Sequence, residues 1–255
     1  MNLHFIFDLA KRDITEKYSG STLGAIWNFI YPLVNIFIFT VIFANLMGSR
    51  LPGSSSTYSY GFYLTAGIIP WTAFSNTLLR TSTVFLDKKY IISKVKVNLS
   101  SFPLFIAISE SITFFVTMGI FLILLVISGY GVSRTILLVP LLYLIQQMFA
   151  YGLGFLISIF VVFIRDLKEM INIVLQFWFW FTPIVYLYDV LPEFAKKILV
   201  LNPAFAFIHG YQSIFIYKEF PDLEILMYLA LTACVILFIS YFIFRKLEKD
   251  IRDCI

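Results

Sequence analysis

The sequence predicts an all-α integral membrane protein. It reads as six transmembrane helices with an N-terminal amphipathic interface helix and short re-entrant helices between spans five and six. Three observations lead there. Hydrophobic residues make up 60% of the 255 and charged residues 13%, whereas a soluble domain carries about 25% charged residues. The mean hydropathy is +0.89. The apolar residues also gather in blocks of the ~20 residues that a helix needs to cross a hydrocarbon core.

Residues 2–16 open the chain. Leu3, Ile6, Phe7, Ala10 and Ile14 fall on one helical face, and Asp8, Lys11, Arg12 and Glu16 lie largely opposite. That pattern describes a helix lying in the membrane interface, with an ordinary lead-in to the first span as the alternative. Asp8, Lys11, Arg12 and Asp13 interrupt the short first apolar stretch, which is unlike a secretory signal. Spans are predicted at 27–47, 61–86, 102–127, 136–164, 171–190 and 223–244. The segment 204–217 is apolar but only 14 residues long, which suits a re-entrant or interfacial helix better than a span. Pro203 lacks a backbone donor and biases Asn202 away from helical angles. Residues 191–221 are therefore expected as two short outer helices broken at Asn202-Pro203. The whole of 1–255 reads as one transmembrane domain. It comprises an arm at 1–20, spans one to five within 27–190, an outer segment at 191–222, span six at 223–244 and a tail at 245–255.

Basic residues set the orientation. The arm, the 87–101 loop, the 165–170 loop and the tail hold thirteen of the nineteen Lys and Arg, and the opposite connections hold five. Cytoplasmic loops carry the excess of Lys and Arg, so both termini are expected in the cytoplasm, with the protein in the cell inner membrane. The net charge of +4 is spread along the chain, with no run suited to nucleic acid.

The chain contains no GxxxxGK[ST] phosphate loop, HExxH, paired CxxC or GxSxG, so no catalytic residue, cofactor site or metal site is expected in it. His4 and His209 fall on segments assigned to opposite sides of the membrane. Cys234 and Cys254 read as free thiols. An acid within a span calls for a partner, and the clearest is Glu110, about two turns into the third span. Arg80 sits at a similar depth in the second. Two readings are open: an Arg80–Glu110 pair locking neighbouring helices, or a snorkelling Arg80 with Glu110 bonded to hydroxyls.

Aromatic residues make up 19% of the chain. Trp27, Tyr31 and Phe39 in the first span, and Phe177, Trp178, Trp180 and Tyr186 in the fifth, are the candidates for a translocation pathway. Flat apolar rings form sliding surfaces for the CH faces of sugars; packing against lipid and interfacial anchoring is the competing reading. Phe177 to Phe181 are five aromatics in a row, so they point all round the helix and some must face protein or pathway. Ala150, Gly154 and Ser158 recur every four residues, the small-xxx-small pattern of a close helix contact.

The order of motifs resembles the polysaccharide-export family of type-2 ABC transporter permeases. The resemblance rests first on Arg12, Asp13, Ile14, Tyr18, Leu23, Gly24, Trp27, Pro32 and Leu33. Gly67 with Pro70-Trp71 follows. Arg165 and Asp166 with Thr182, Pro183 and Tyr186 come next, and then Asn202 and Pro203. It covers nearly the whole chain, and departs at 94–103, where the family often has Lys-x-x-x-Pro. Within the family the O-antigen exporters come nearest and teichoic-acid exporters follow.

The resemblance implies a transport subunit that is not itself an enzyme. It would work with a second copy of itself and two separate ATPase subunits, which hold the ATP and Mg. Lys88, Lys89 and Lys94 would lie near the ATPase contact. The cargo would be a lipid-linked polysaccharide, with Lys11, Arg12 and Lys17 attracting its pyrophosphate. Small-molecule efflux by a permease of the same broad family is the first rival, and a membrane-embedded transferase the second.

Overall fold

The structure, a computed structural model, describes residues 3–17, 20–38, 58–94 and 98–254. Its first helix, α1, runs Leu3–Glu16. A 3-10 turn at Gly24–Ile26 leads into α2, Trp27–Phe37. Phe39, Phe43 and the rest of the expected first span lie outside the described residues, as do Tyr18, Arg50 and Lys96. Then come α3 (Ser59–Asp87), the short α4 (Lys89–Lys94) and α5 (Ser101–Ile127). A 3-10 segment at Arg134–Leu138 feeds α6, Val139–Val161. The chain continues with α7 (Leu167–Trp180), α8 (Glu193–Leu199), α9 (Pro203–Gln212) and α10 (Leu223–Cys254). No strand occurs among the described residues.

Among the described residues, three helices are long and apolar enough to cross a membrane: Ser101–Ile127, Arg134–Val161 and Leu223–Cys254. The bent pair of α8 with Pro203–Tyr217 makes a fourth if it counts as one span, its two parts meeting at 101°. At 29 residues α3 has the length, but Thr65, Thr72, Asn76, Thr77 and Arg80 lower its hydropathy.

The centre of the bundle is the α3–α6 contact. Ala150 and Ser158 are buried, and a Cβ on Gly154 would come within 2.9 Å of both the Leu78 carbonyl oxygen and Thr81 Cβ. The small-residue repeat thus marks a close approach of two backbones. On another face of α6, Ser240 Oγ of α10 donates to the Gly152 carbonyl at 2.8 Å. Gln146 Nε2 of α6 donates to the Pro70 carbonyl of α3 at 2.8 Å, an interhelical bond beside a proline that cannot complete its own helical ladder.

One part of the expected layout needs correction. The fifth span, expected at 171–190, is a helix only over Leu167–Trp180. Fourteen residues give about 21 Å at 1.5 Å per residue, short of the ~30 Å core. Pro183 disfavours helix at Thr182, and the chain turns irregularly before a 3-10 turn at Tyr188–Val190. In the arm, Ile6 and Ala10 are fully enclosed, whereas Phe7 is 57% exposed. The arm therefore packs on protein along Ile6 and Ala10.

Within 191–221 the chain forms two short helices broken at Asn202-Pro203. Asn202 caps α9 by accepting from the Ala204 backbone N–H at 3.0 Å, with Pro203 at the first helical position, where its missing donor costs nothing. A π-turn at Ser213–Tyr217 ends at Lys218, in the left-handed region at φ 59°. The predicted sixth span and tail form one continuous helix, α10.

Among the described residues, two apolar clusters form the core. The larger gathers α3, α5, α6 and α9 around Phe74, Phe114, Phe149 and Phe207. The smaller joins Ile6 and Ala10 of α1 to Phe85, Ile92, Phe102, Phe105, Ile159 and Ile251. Because Ile6 and Ile251 share this second cluster, both ends of the chain pack at the same end of the bundle.

Candidate functional site

The arm carries Ile6, Ala10, Asp13 and Lys17 at spacings of four, three and four, one stripe of a helix. The first two enter the smaller apolar cluster, and the stripe then sets a carboxylate and an ammonium against α3 and α5. Asp13 is 8% exposed and Glu110 1%. Arg80 Nη2 donates to Asp13 Oδ1 at 2.6 Å and to Oδ2 at 2.8 Å, and its Nη1 donates to Glu110 Oε1. Ser109 Oγ donates to Asp13 Oδ2 at 2.6 Å. Lys17 Nζ lies 3.8 Å from Glu110 Oε1. Two cations therefore face two carboxylates, and the four formal charges cancel.

One planar guanidinium grips carboxylates from two different elements, a geometry that Lys cannot reproduce. Arg80 thus fastens α1 to α3 and α5 at once. The Arg80–Glu110 contact is one of the two readings left open by the sequence. Asp13 and Ser109, the other half of the cluster, are functional candidates that sequence reasoning missed. The available signal was a charged residue in register with the buried stripe of the arm.

The remaining candidates separate. Arg12 is turned away from the cluster to Glu16, Nε to Oε1 at 2.6 Å, and Lys11 is exposed, so Lys11, Arg12 and Lys17 do not converge. Lys88 Nζ lies 3.8 Å from Glu16 Oε2 and 5.6 Å from the centre of the Phe105 ring, tying the end of α3 to the arm. Lys89 and Lys94 are exposed on α4, Lys94 Nζ sitting 3.9 Å from the centre of the Tyr90 ring.

The aromatic candidates divide as well. Trp178 is turned into the protein, its ring edge-on to Phe74 at 5.3 Å and its Nε1 donating to Asn202 Oδ1 at 2.7 Å. Phe177 and Trp180, on the same helix, are exposed. Tyr186 is half-buried and donates through Oη to the Trp180 carbonyl at 2.9 Å. Trp27 donates through Nε1 to Ser21 Oγ at 2.9 Å and packs on the exposed Tyr31 with ring centres 5.3 Å apart. Phe39 lies outside the described residues.

Next to the charged cluster a cavity of about 440 Å³ opens between α2, α3 and α5, with Lys17, Glu110 and Tyr31 among its walls. A second, of about 550 Å³, lies under α8 between Trp178, Phe181, Tyr186 and Phe194. No group of three or more His, Cys, Asp or Glu able to hold a metal ion occurs among the described residues, and Cys234 and Cys254 are exposed free thiols.

Comparison with known proteins gives a consistent result. The family described as ABC-2 type transporter matches residues 5–216. The chain is 27% identical over 252 residues to "O-antigen export system permease protein RfbA" of Myxococcus xanthus, covering 98% of this chain and 95% of that one. It is also 27% identical over 252 residues to a Klebsiella pneumoniae protein of the same name, covering 97% and 95%.

Proposed function

This chain belongs to the ABC-2 type transporter family as a membrane permease, and on that premise we propose that it is the membrane-spanning subunit of an ATP-driven exporter of lipid-linked polysaccharide. The cargo is of O-antigen type, carried from cytoplasm to periplasm across the inner membrane. The observation that carries this reading is the near full-length similarity to two proteins named as O-antigen export permeases. The abundant apolar helices fit a multi-pass subunit.

In this reading the chain crosses the membrane six times as a single domain, with both termini in the cytoplasm. The shared packing of Ile6 and Ile251 at one end supports that topology. Two copies assemble with two ATPase subunits, which hold ATP and Mg. The end of the bundle bearing α1 and α4 faces those subunits, with Lys89 and Lys94 exposed there and Lys88 bracing the arm. ATP binding draws the two halves together and changes the gap between the first and fifth spans of the two copies. Phe177, Trp180, Tyr31 and Trp27 offer ring faces to the passing glycan. Tyr186 and the inward-turned Trp178 shape the outer end, and α8 and α9 cap the exit there. Lys11 and Arg12, exposed on the arm, attract the lipid pyrophosphate at the cytoplasmic surface, without Lys17, which is turned to Glu110.

The test is deletion of the gene in its host, with undecaprenyl-linked polysaccharide measured on the cytoplasmic face of the inner membrane. Accumulation inside, with loss of surface polymer, is the expected outcome. An unchanged pool with a normal surface overturns the cargo assignment.

A further inference from the structure

The cavity beside the charged cluster has walls of an unusual kind for a chain this apolar. Along α3 its lining includes Thr65, Thr72 and Asn76, and along α5 it includes Glu110, Thr113 and Thr117. These polar positions recur every three, four or seven residues, so each helix presents a polar stripe to the same space. On α2, Tyr31 and Asn35 complete it.

The hydrogen-bonding state of these groups defines what fits. Each threonine hydroxyl gives its proton to a carbonyl of its own helix: Thr65 to Gly61 at 2.8 Å, Thr72 to Ile68 at 2.8 Å, Thr113 to Ser109 at 3.3 Å and Thr117 to Thr113 at 2.8 Å. What each hydroxyl still offers is an acceptor. Glu110 engages Arg80 and Lys17 through Oε1, and its Oε2 has no hydrogen bond among the described residues. The side-chain amides of Asn35 and Asn76 likewise have none among the described residues, so each offers both donor and acceptor. Lys17 is the one cation in the lining among the described residues, and it already faces Glu110.

The rest of the wall is apolar, with Ile36, Ile68, Ile69 and Phe114 among its lining. A mostly apolar wall that carries acceptors and cancelled charge suits a neutral ligand presenting both C–H faces and O–H donors. It opposes a phosphate, which brings acceptors and negative charge to a space edged by a carboxylate. The exposed ring of Tyr31 supplies a flat apolar face. The volume of about 440 Å³ falls within the ~300–1,000 Å³ of small-molecule sites.

We infer that this cavity is a sugar-binding site within each single copy of the permease, taking a neutral, hydroxyl-rich unit of the glycan between α2, α3 and α5. The inference rests on the export reading and deepens it. The sugar is held inside the protomer, separately from the gap between copies, and the pyrophosphate is held elsewhere.

The experiment uses the full complex of this chain with its ATPase subunits in lipid nanodiscs. Cys234→Ser and Cys254→Ser remove the native thiols. Ala73→Cys, in the cavity lining, reports labelling by a maleimide, and Thr117→Cys gives a second reporter should the first fail to assemble. The probes are the free glycan released from the host's lipid-linked pool and undecaprenyl diphosphate without glycan. Free glycan at about four times its dissociation constant should slow labelling on the order of fivefold, since protection scales as one plus that ratio. Adding Asn76→Leu should abolish the protection, and labelling of Phe238→Cys on the exposed face of α10 should not respond. The inference is overturned by unprotected labelling, by protection that survives Asn76→Leu, or by protection from the glycan-free lipid alone. If the gene deletion abolishes surface polymer while the cavity stays unprotected, export stands and the sugar site alone falls. If the deletion leaves surface polymer intact, the export reading fails and the site falls with it.

Discussion

Where α1 packs, one end of the bundle is fastened by four charges; beneath α8 and α9, the other end is fastened by neutral hydrogen bonds. At the first, Arg80 joins Asp13 and Glu110 across three helices. At the second, the irregular chain after α7 exposes backbone carbonyls that side chains from distant elements satisfy. Tyr60 Oη donates to the Val185 carbonyl at 2.6 Å, and Tyr63 Oη to that of Tyr186 at 3.1 Å. Gln212 Nε2 donates to the Pro183 carbonyl at 3.3 Å, and Asn202 Nδ2 to Thr182 Oγ1 at 3.1 Å. The difference teaches where each end is vulnerable. A buried charge cluster fails as a unit, because removing one partner leaves the others uncompensated. A set of neutral bonds loses its members one at a time.

The largest expected effect tests that contrast directly. Arg80→Met strands Asp13 and Glu110 in a buried setting and should cost about 3–5 kcal/mol, read as loss of a monodisperse peak in detergent and a collapsed melting temperature. Adding Asp13→Asn and Glu110→Gln to the same variant should recover most of the loss, because no buried charge is then left alone. If the triple variant is as damaged as the single one, the cluster is not acting as a unit.

Asp13→Asn alone keeps the Arg80–Glu110 contact and removes the charge of the arm. A loss of about 1.5–3 kcal/mol is expected, with faster tryptic cleavage after Lys11 and Arg12 as α1 detaches. At the neutral end, Trp178→Phe keeps the ring against Phe74 but deletes the bond to Asn202. It should cost about 1 kcal/mol and leave cleavage of the arm unchanged, which separates the two ends experimentally. The smallest effect belongs to Arg12→Ala. Its bond to Glu16 is made by a side chain 71% exposed, and exposed pairs are worth about 0–1 kcal/mol. A melting temperature indistinguishable from the parent is the expected result.

Membrane class, most helix positions, the break at Asn202-Pro203 and the presence of a close helix contact along Ala150, Gly154 and Ser158 were all legible in the sequence, though not that α3 is its partner. Each is written in local composition or period: apolar blocks matched to the hydrocarbon core, a proline that cannot donate, small residues every four positions. Arg80 and Glu110 stood out individually because charge within a span is rare. The tertiary structure alone decided that Asp13 completes their cluster, since its partners lie 67 and 96 residues away along the chain. It also decided which of the five consecutive aromatics turn inward, Trp178 and Phe179, and that α7 stops at Trp180. That stop is tolerated because Tyr60 and Tyr63, more than a hundred residues earlier, reach the carbonyls it frees. Periodicity fixes the face on which a side chain lies, but the partner it meets depends on how distant helices come together.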